Sequence, residues 1–154
     1  KTLRQNVVPL RIITNGTMFT QRLWDEISHN IFQAIVISVD GIGEVYESIR
    51  RGAKWEQQLE NLRLISRLRK DKSLQRVEVA CIVMKRNLEQ LKDLVLLARE
   101  LEFDRIAFQI MQGDYPDNIF RHNDVKAQER LKEIFQDPLF DDPVVDLWSV
   151  RSYR

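Results

Sequence analysis

The chain has 154 residues, 44% of them hydrophobic and 31% charged, with a formal net charge of +1. That length suits one domain with a substantial buried core. The near-neutral balance gives no global pull towards nucleic acid or acidic membranes, and the single cysteine, Cys81, excludes a disulfide framework, a zinc cluster and a four-cysteine iron–sulfur site within this sequence.

The chain opens on Lys1 and an apparent helix end, so it reads as an excerpt of a longer protein. No signal peptide is legible, and no apolar run approaches the roughly 20 residues that span a bilayer. With one thiol in an apolar run, the expected compartment is the cytoplasm. Leu10–Thr14 (LRIIT) is the first strand-like run and ends in the Thr14-Asn15-Gly16 turn. A helical pattern from Gln21 to His29 follows, with Thr20 placed to cap it. Ala34–Asp40 (AIVISVD) is the second strand and ends in Ser38-Val39-Asp40-Gly41. Trp55, Leu59, Leu62, Ile65 and Leu68 then fall on one helical stripe. The basic stretch from Arg63 to Arg76 reads as the solvated end of that helix, where cations offset the negative pole of the dipole.

Val77–Met84 (VEVACIVM) is the third strand, with Cys81 as a core thiol, and it runs through Lys85 and Arg86 to Asn87. Leu88, Leu91, Val95, Ala98 and Leu101 form the next helical stripe. Arg105–Met111 (RIAFQIM) is the fourth strand and delivers Gln109, Gln112 and Asp114 to its end. Gly113 to Asn123 is a polar loop, and Lys126 to Phe135 is helical again. In the tail from Asp137, Trp148 is expected to pack back on the domain. Residues 1–113 thus make a βα segment, and residues 114–154 a loop, helix and tail that pack on it.

Strands that are almost continuously apolar and alternate with helices predict an α/β fold with a parallel sheet of four βα units. Such a sheet is either open and doubly wound or part of a barrel. A complete eight-stranded barrel needs about 250 residues, so the chain is at most a partial, half TIM-like barrel. In both cases ligands belong at the carboxyl ends of the strands. Gly41 and Gly43 do not make a dinucleotide loop, because Tyr46 stands at the third glycine position and Glu60, the nearest candidate for the ribose-binding acid that loop requires, lies within a helical stripe. His29 and His122 read as surface histidines, and Asp141-Asp142 as a turn.

"IITNGTMFTQRLWDEI", "AIVISVDG", "YESIRRGAKWEQQLENLRLI" and "CIVMKRNLEQLKDLVLLARELEFDRIAFQ" resemble, in this order and spacing, the later part of the radical S-adenosylmethionine domain. The resemblance runs from Leu10 to Met111 and favours the subgroup with auxiliary-cluster tails. It implies that the four strands are the third to the sixth of a six-unit partial barrel, with S-adenosylmethionine lying across their carboxyl ends. On that resemblance Thr14 and Asn15 line the site, and Ser38 and Asp40 look towards the ribose and methionine parts of the cofactor. Arg51, or its neighbour Arg50, pairs with the cofactor carboxylate. Asn87 matches the polar cofactor-site residue after the fifth strand, and Gln109 sits where the sixth strand faces the cavity. The family's CxxxCxxC loop, which holds a 4Fe-4S cluster, is not in this sequence. The resemblance therefore implies a cluster-less segment of an iron–sulfur oxidoreductase-like enzyme, inert alone. Its expected partners are the missing N-terminal part of the same enzyme and, through an open sheet edge, a second copy. The rival reading is a free-standing, non-enzymatic α/β module that binds a protein or small ligand at the strand ends.

Overall fold

The computed structural model describes residues 10–28 and 32–154. Its first unit is strand β1 (Leu10–Thr14) with helix α1 (Gln21–Ile27), and its second is β2 (Phe32–Ser38) with the short α2 (Glu44–Ile49) and the long α3 (Trp55–Lys70). Next come β3 (Val77–Val83), a 3-10 helix (Lys85–Gln90), α4 (Leu91–Glu100) and β4 (Arg105–Ile110). The chain ends with α5 (Val125–Phe135), a 3-10 helix (Pro138–Asp141), β5 (Val145–Asp146) and a last 3-10 helix (Trp148–Tyr153).

The five strands lie in one sheet in the order β1-β2-β3-β4-β5, and every neighbouring pair is parallel. Because the order never reverses, the sheet has no topological switch point. The doubly wound alternative is thereby excluded and the partial barrel retained. The fifth strand is new relative to the sequence reading. It is two residues long, pairing Val145 and Asp146 with Ile106 and Ala107, too short to show a periodic pattern. His29 lies outside the described residues.

One core fills one face of the sheet. Ile35, Ile37 and Val39 of β2 and the segment after it, Val77, Val79, Cys81 and Val83 of β3, and Ile106 and Phe108 of β4 share a single cluster. Their partners are the stripes of α3 (Leu62, Ile65, Leu68), α4 (Leu91, Leu94, Val95, Ala98) and α5 (Leu131, Ile134, Phe135). Thr20 caps α1 as its sequence predicts, accepting from the Leu23 N–H at 3.2 Å. The tail does pack back, but not through Trp148, which is 70% exposed. Phe140, Leu147 and Val150 are the buried residues there, and Phe140 meets Phe135 edge-on at 5.0 Å. Trp148 stands outside with the Arg151 guanidinium 5.6 Å from its ring centre.

Side chains on the opposite face alternate with the core set, as the pleat requires. There Glu78, whose side chain is 6% exposed, is bound by Arg11 at 3.0 Å, Arg76 at 2.7 Å and Arg105 at 2.9 Å. Arg105 also pairs with Asp146. The resulting chain of charges runs across the inner face from β1 to β5, and small Ala34 lets Arg11 reach over β2. No helix among the described residues is long and apolar enough to cross a membrane.

Candidate functional site

The carboxyl ends of β1 and β2 are assembled by side-chain hydrogen bonds more than by packing. In the turn after β1, Thr14 Oγ1 accepts from the Gly16 N–H at 3.0 Å, and Asn15 Oδ1 accepts from the Thr17 N–H at 3.1 Å. Gly16 has φ +76°, and a Cβ there would lie 2.9 Å from both Ile37 Cγ2 and Gln58 Nε2. From α3, Gln58 Nε2 donates to Asn15 O at 3.1 Å. Asn61 Nδ2 donates to Gly16 O at 2.9 Å and to Thr17 O at 3.1 Å. These two polar residues share the stripe of Leu62 and Ile65, so α3 packs on the core and clamps the turn with one face.

Past β2, Asp40 is 3% exposed, and each of its carboxylate oxygens is engaged. Oδ1 accepts from the Ile82 N–H at 2.9 Å and Oδ2 from Arg50 Nη2 at 2.7 Å. Asn87, fully buried, ties three segments together. Its Nδ2 donates to Asp40 O and Ile82 O, each at 2.8 Å, and its Oδ1 accepts from the Met84 N–H at 2.9 Å. Gln90 braces the glycine loop, accepting from the Ile42 N–H at 2.8 Å and donating to Ile42 O at 3.2 Å. The Cys81 thiol lies beneath this cluster with its pKa pushed well above the usual thiol value by burial, and the Asp40 charge adds to the effect. Tyr46 is fully buried with no partner for its hydroxyl, and burial raises its pKa too.

Between the β1 turn and the α2–α3 loop is a cavity of about 920 Å³, whose lining includes Asn15, Met18, Arg50, Arg51, Lys54 and Gln58. A smaller hollow of about 270 Å³ on the inner face of β4 includes Arg105, Gln109, Gln112, Trp148 and Ser149. The residues named from the sequence therefore do not fall in one place. Asn15 and Arg51 line the large cavity and Gln109 the small hollow, while Thr14 folds into its own turn. Asp40 and Asn87 are buried beneath the strand ends, joined by a hydrogen bond. Ser38 is half-buried on the inner face, and its hydroxyl makes no hydrogen bond among the described residues. Of the two arginines, Arg50 turns inward to Asp40, whereas Arg51 is exposed at the cavity. His122 is exposed, within 3.2 Å of the Asp114 carboxylate.

Sequence reasoning missed Gln58, Asn61 and Gln90. The signal was present for the first two, since polar side chains at positions in phase with an apolar helical stripe are carried into the interior and must find partners there.

No family model matches the chain, and no curated protein sequence matches it. Solved structures do. Native anSMEcpe with bound AdoMet and Cp18Cys peptide is similar with a TM-score of 0.58 and 16% identity, over 88% of this chain and 39% of that one. SuiB of Streptococcus suis bound to S-adenosylmethionine gives a TM-score of 0.59 and 14% identity, over 88% of this chain and 31% of that one. The chain thus spans between 31% and 39% of the length of these neighbours. Five parallel strands in chain order with helices on one face give this protein the α/β partial-barrel fold of these S-adenosylmethionine-bound structures, the fold that its sequence resemblance implies.

Proposed function

We propose that this chain is a segment of a radical S-adenosylmethionine iron–sulfur enzyme and carries part of the cofactor-binding face. The observation that supports this most is the cavity at the β1 and β2 ends, in a fold shared with structures that hold S-adenosylmethionine. The groups there suit that cofactor. Arg50 keeps a buried Nε–H without a partner, and Arg51 offers a second guanidinium for a carboxylate. Outside that cavity, on the inner face at the end of β2, the Ser38 hydroxyl can accept from or donate to a ribose hydroxyl. Asp40 acts by holding Arg50 in place, and Asn87 by holding Asp40.

The iron–sulfur cluster does not fit this chain. The sequence has one cysteine, and no group of three His, Cys, Asp or Glu among the described residues could hold a metal ion. We assign any such cluster to a part of the parent protein outside this chain, where it would supply one-electron chemistry. Alone, this polypeptide is a catalytically inert partial site.

Titrating S-adenosylmethionine into the isotope-labelled 154-residue chain tests this reading. Amide resonances of Asn15–Thr17, Ser38–Gly41 and Arg50–Gly52 should shift, with a dissociation constant weaker than about 1 μM because part of the contact surface is absent. Ser38→Ala should weaken binding further without changing stability. An absence of shifts in all three segments would overturn the cofactor reading, and submicromolar affinity would overturn the partial-site reading.

A further inference from the structure

The smaller hollow, on the inner face of β4, differs in kind from the cavity at the β1 and β2 ends. Its charges are already answered. Arg105 binds Glu78 at 2.9 Å and also Asp146, whose second oxygen accepts from the Trp148 N–H at 2.7 Å. What is left open is neutral. Gln109 and Gln112 are exposed and make no hydrogen bond among the described residues. Ser149 Oγ accepts from the Ile110 N–H at 3.2 Å, which leaves its own proton to donate. The floor is low, because Ala107 of β4 stands in register with Ala80 of β3 and no large side chain rises there.

Trp148 lines the same hollow and is 70% exposed, although its neighbours Leu147 and Val150 are buried. It is held outward by its backbone bond to Asp146 and by the Arg151 guanidinium, 5.6 Å from the ring centre. An indole face is electron-rich and attracts C–H groups of slight positive charge. Amides and a hydroxyl that can donate or accept answer hydroxyl groups, which do the same. A volume of about 270 Å³ is smaller than a drug-sized pocket and suits one ring. An anion meets no unpaired cation on this lining, and a purely apolar ring leaves both amides unanswered. The edge of a heteroaromatic base has fixed donors and acceptors and makes less use of groups that serve as either.

We propose that the hollow between β4 and the last 3-10 helix binds a neutral, hydroxyl-rich ring, a pyranose unit of a saccharide, with its C–H face on Trp148 and its hydroxyls on Gln109, Gln112 and Ser149. This site shares no lining residue with the cavity of the cofactor reading and stands independently of it.

The test titrates the methyl glycosides of D-glucose, D-galactose and D-mannose into the labelled 154-residue chain. It follows the Trp148 indole N–H and the side-chain NH2 groups of Gln109 and Gln112. At least one glycoside should shift all of these resonances. It should bind about tenfold tighter than tetrahydropyran, a ring without hydroxyls, and than glycerol, which has hydroxyls without the ring. No response to any glycoside would overturn the proposal, as would equal binding of either truncated probe. Adenine binding tighter than every glycoside would overturn it in favour of a heteroaromatic ligand. Trp148→Ala should abolish the Gln109 and Gln112 shifts, and shifts that survive would overturn the role of the ring and with it the proposal; if that variant does not fold, the probe comparison on the unmodified chain still decides. Shifts of Arg50–Gly52 with S-adenosylmethionine and none with the glycosides would overturn this inference and leave the cofactor reading standing. Glycoside shifts at Trp148 with no response to S-adenosylmethionine would do the reverse.

Discussion

Asp40 shows how a residue legible as a strand end can hold a place that its spacing does not disclose. Asp-Gly after an apolar run marks the end of β2 correctly, yet the carboxylate points into the protein and joins β3 to the α2–α3 loop. Removing one partner of a buried pair strands the other charge. Asp40→Ala should therefore cost about 3 kcal/mol in urea unfolding, and an unchanged midpoint would mean that the Arg50 contact contributes nothing. Gly16 is a second such position. Its φ of +76°, with Ile37 and Gln58 atoms 2.9 Å from where a methyl group would stand, leaves no room for a side chain. Gly16→Ala should destabilise by about 2 kcal/mol and disturb the amide resonance of Thr17. Asn15-Gly16 was legible as a turn, whereas Gln58 and Asn61, which hold it, were not, because their partners lie more than 40 positions away in the chain.

Elements were the most legible level, for a physical reason: long periodic segments average out local exceptions. The four strands and the helices α1, α3, α4 and α5 follow from apolar spacing, with ends that shift by a few residues. Two features escaped it. The Leu88–Leu101 stripe is split, since Lys85–Gln90 winds as a 3-10 helix before α4 begins, and α2 is only six residues long. Contacts between elements were also hidden. Asp104, in the loop before β4, accepts from Arg69 Nε and Nη2, both at 2.8 Å, and from the Val77 N–H at 2.7 Å. The Arg69 hydrogen bond, opposed by burial and aided by Val77, holds the Asp104 carboxyl below its ordinary pKa. A carboxyl depressed in the folded state adds stability that is complete above its unfolded pKa and is lost as pH falls through the folded value. Arg69→Gln should therefore flatten the decline in thermal midpoint below about pH 4, and an acid limb parallel to that of the parent chain would exclude this pair as its source.

At the scale of the molecule, a parallel sheet was legible from alternation alone, but the choice between open and barrel-like winding was not. Strand order is a property of the fold, and apolar spacing reports only that each strand is covered. Among the described residues, strand β1 bounds the sheet at one side, with Leu10 45% and Ile13 73% exposed. Exposed strand edges template pairing with other chains. The 154-residue chain should therefore self-associate with rising concentration in sedimentation runs, and Ile13→Lys should suppress this. Monomeric behaviour throughout the accessible range would favour the free-standing module.

Because each strand pairs only with the strands before and after it in the chain, the sheet can be laid down in the order in which the polypeptide leaves the ribosome. Every new strand meets an edge already in place, and none has to thread between two finished neighbours. The same arrangement makes growth stepwise: adding or removing one strand–helix unit at either side alters a single pairing and leaves the others as they were.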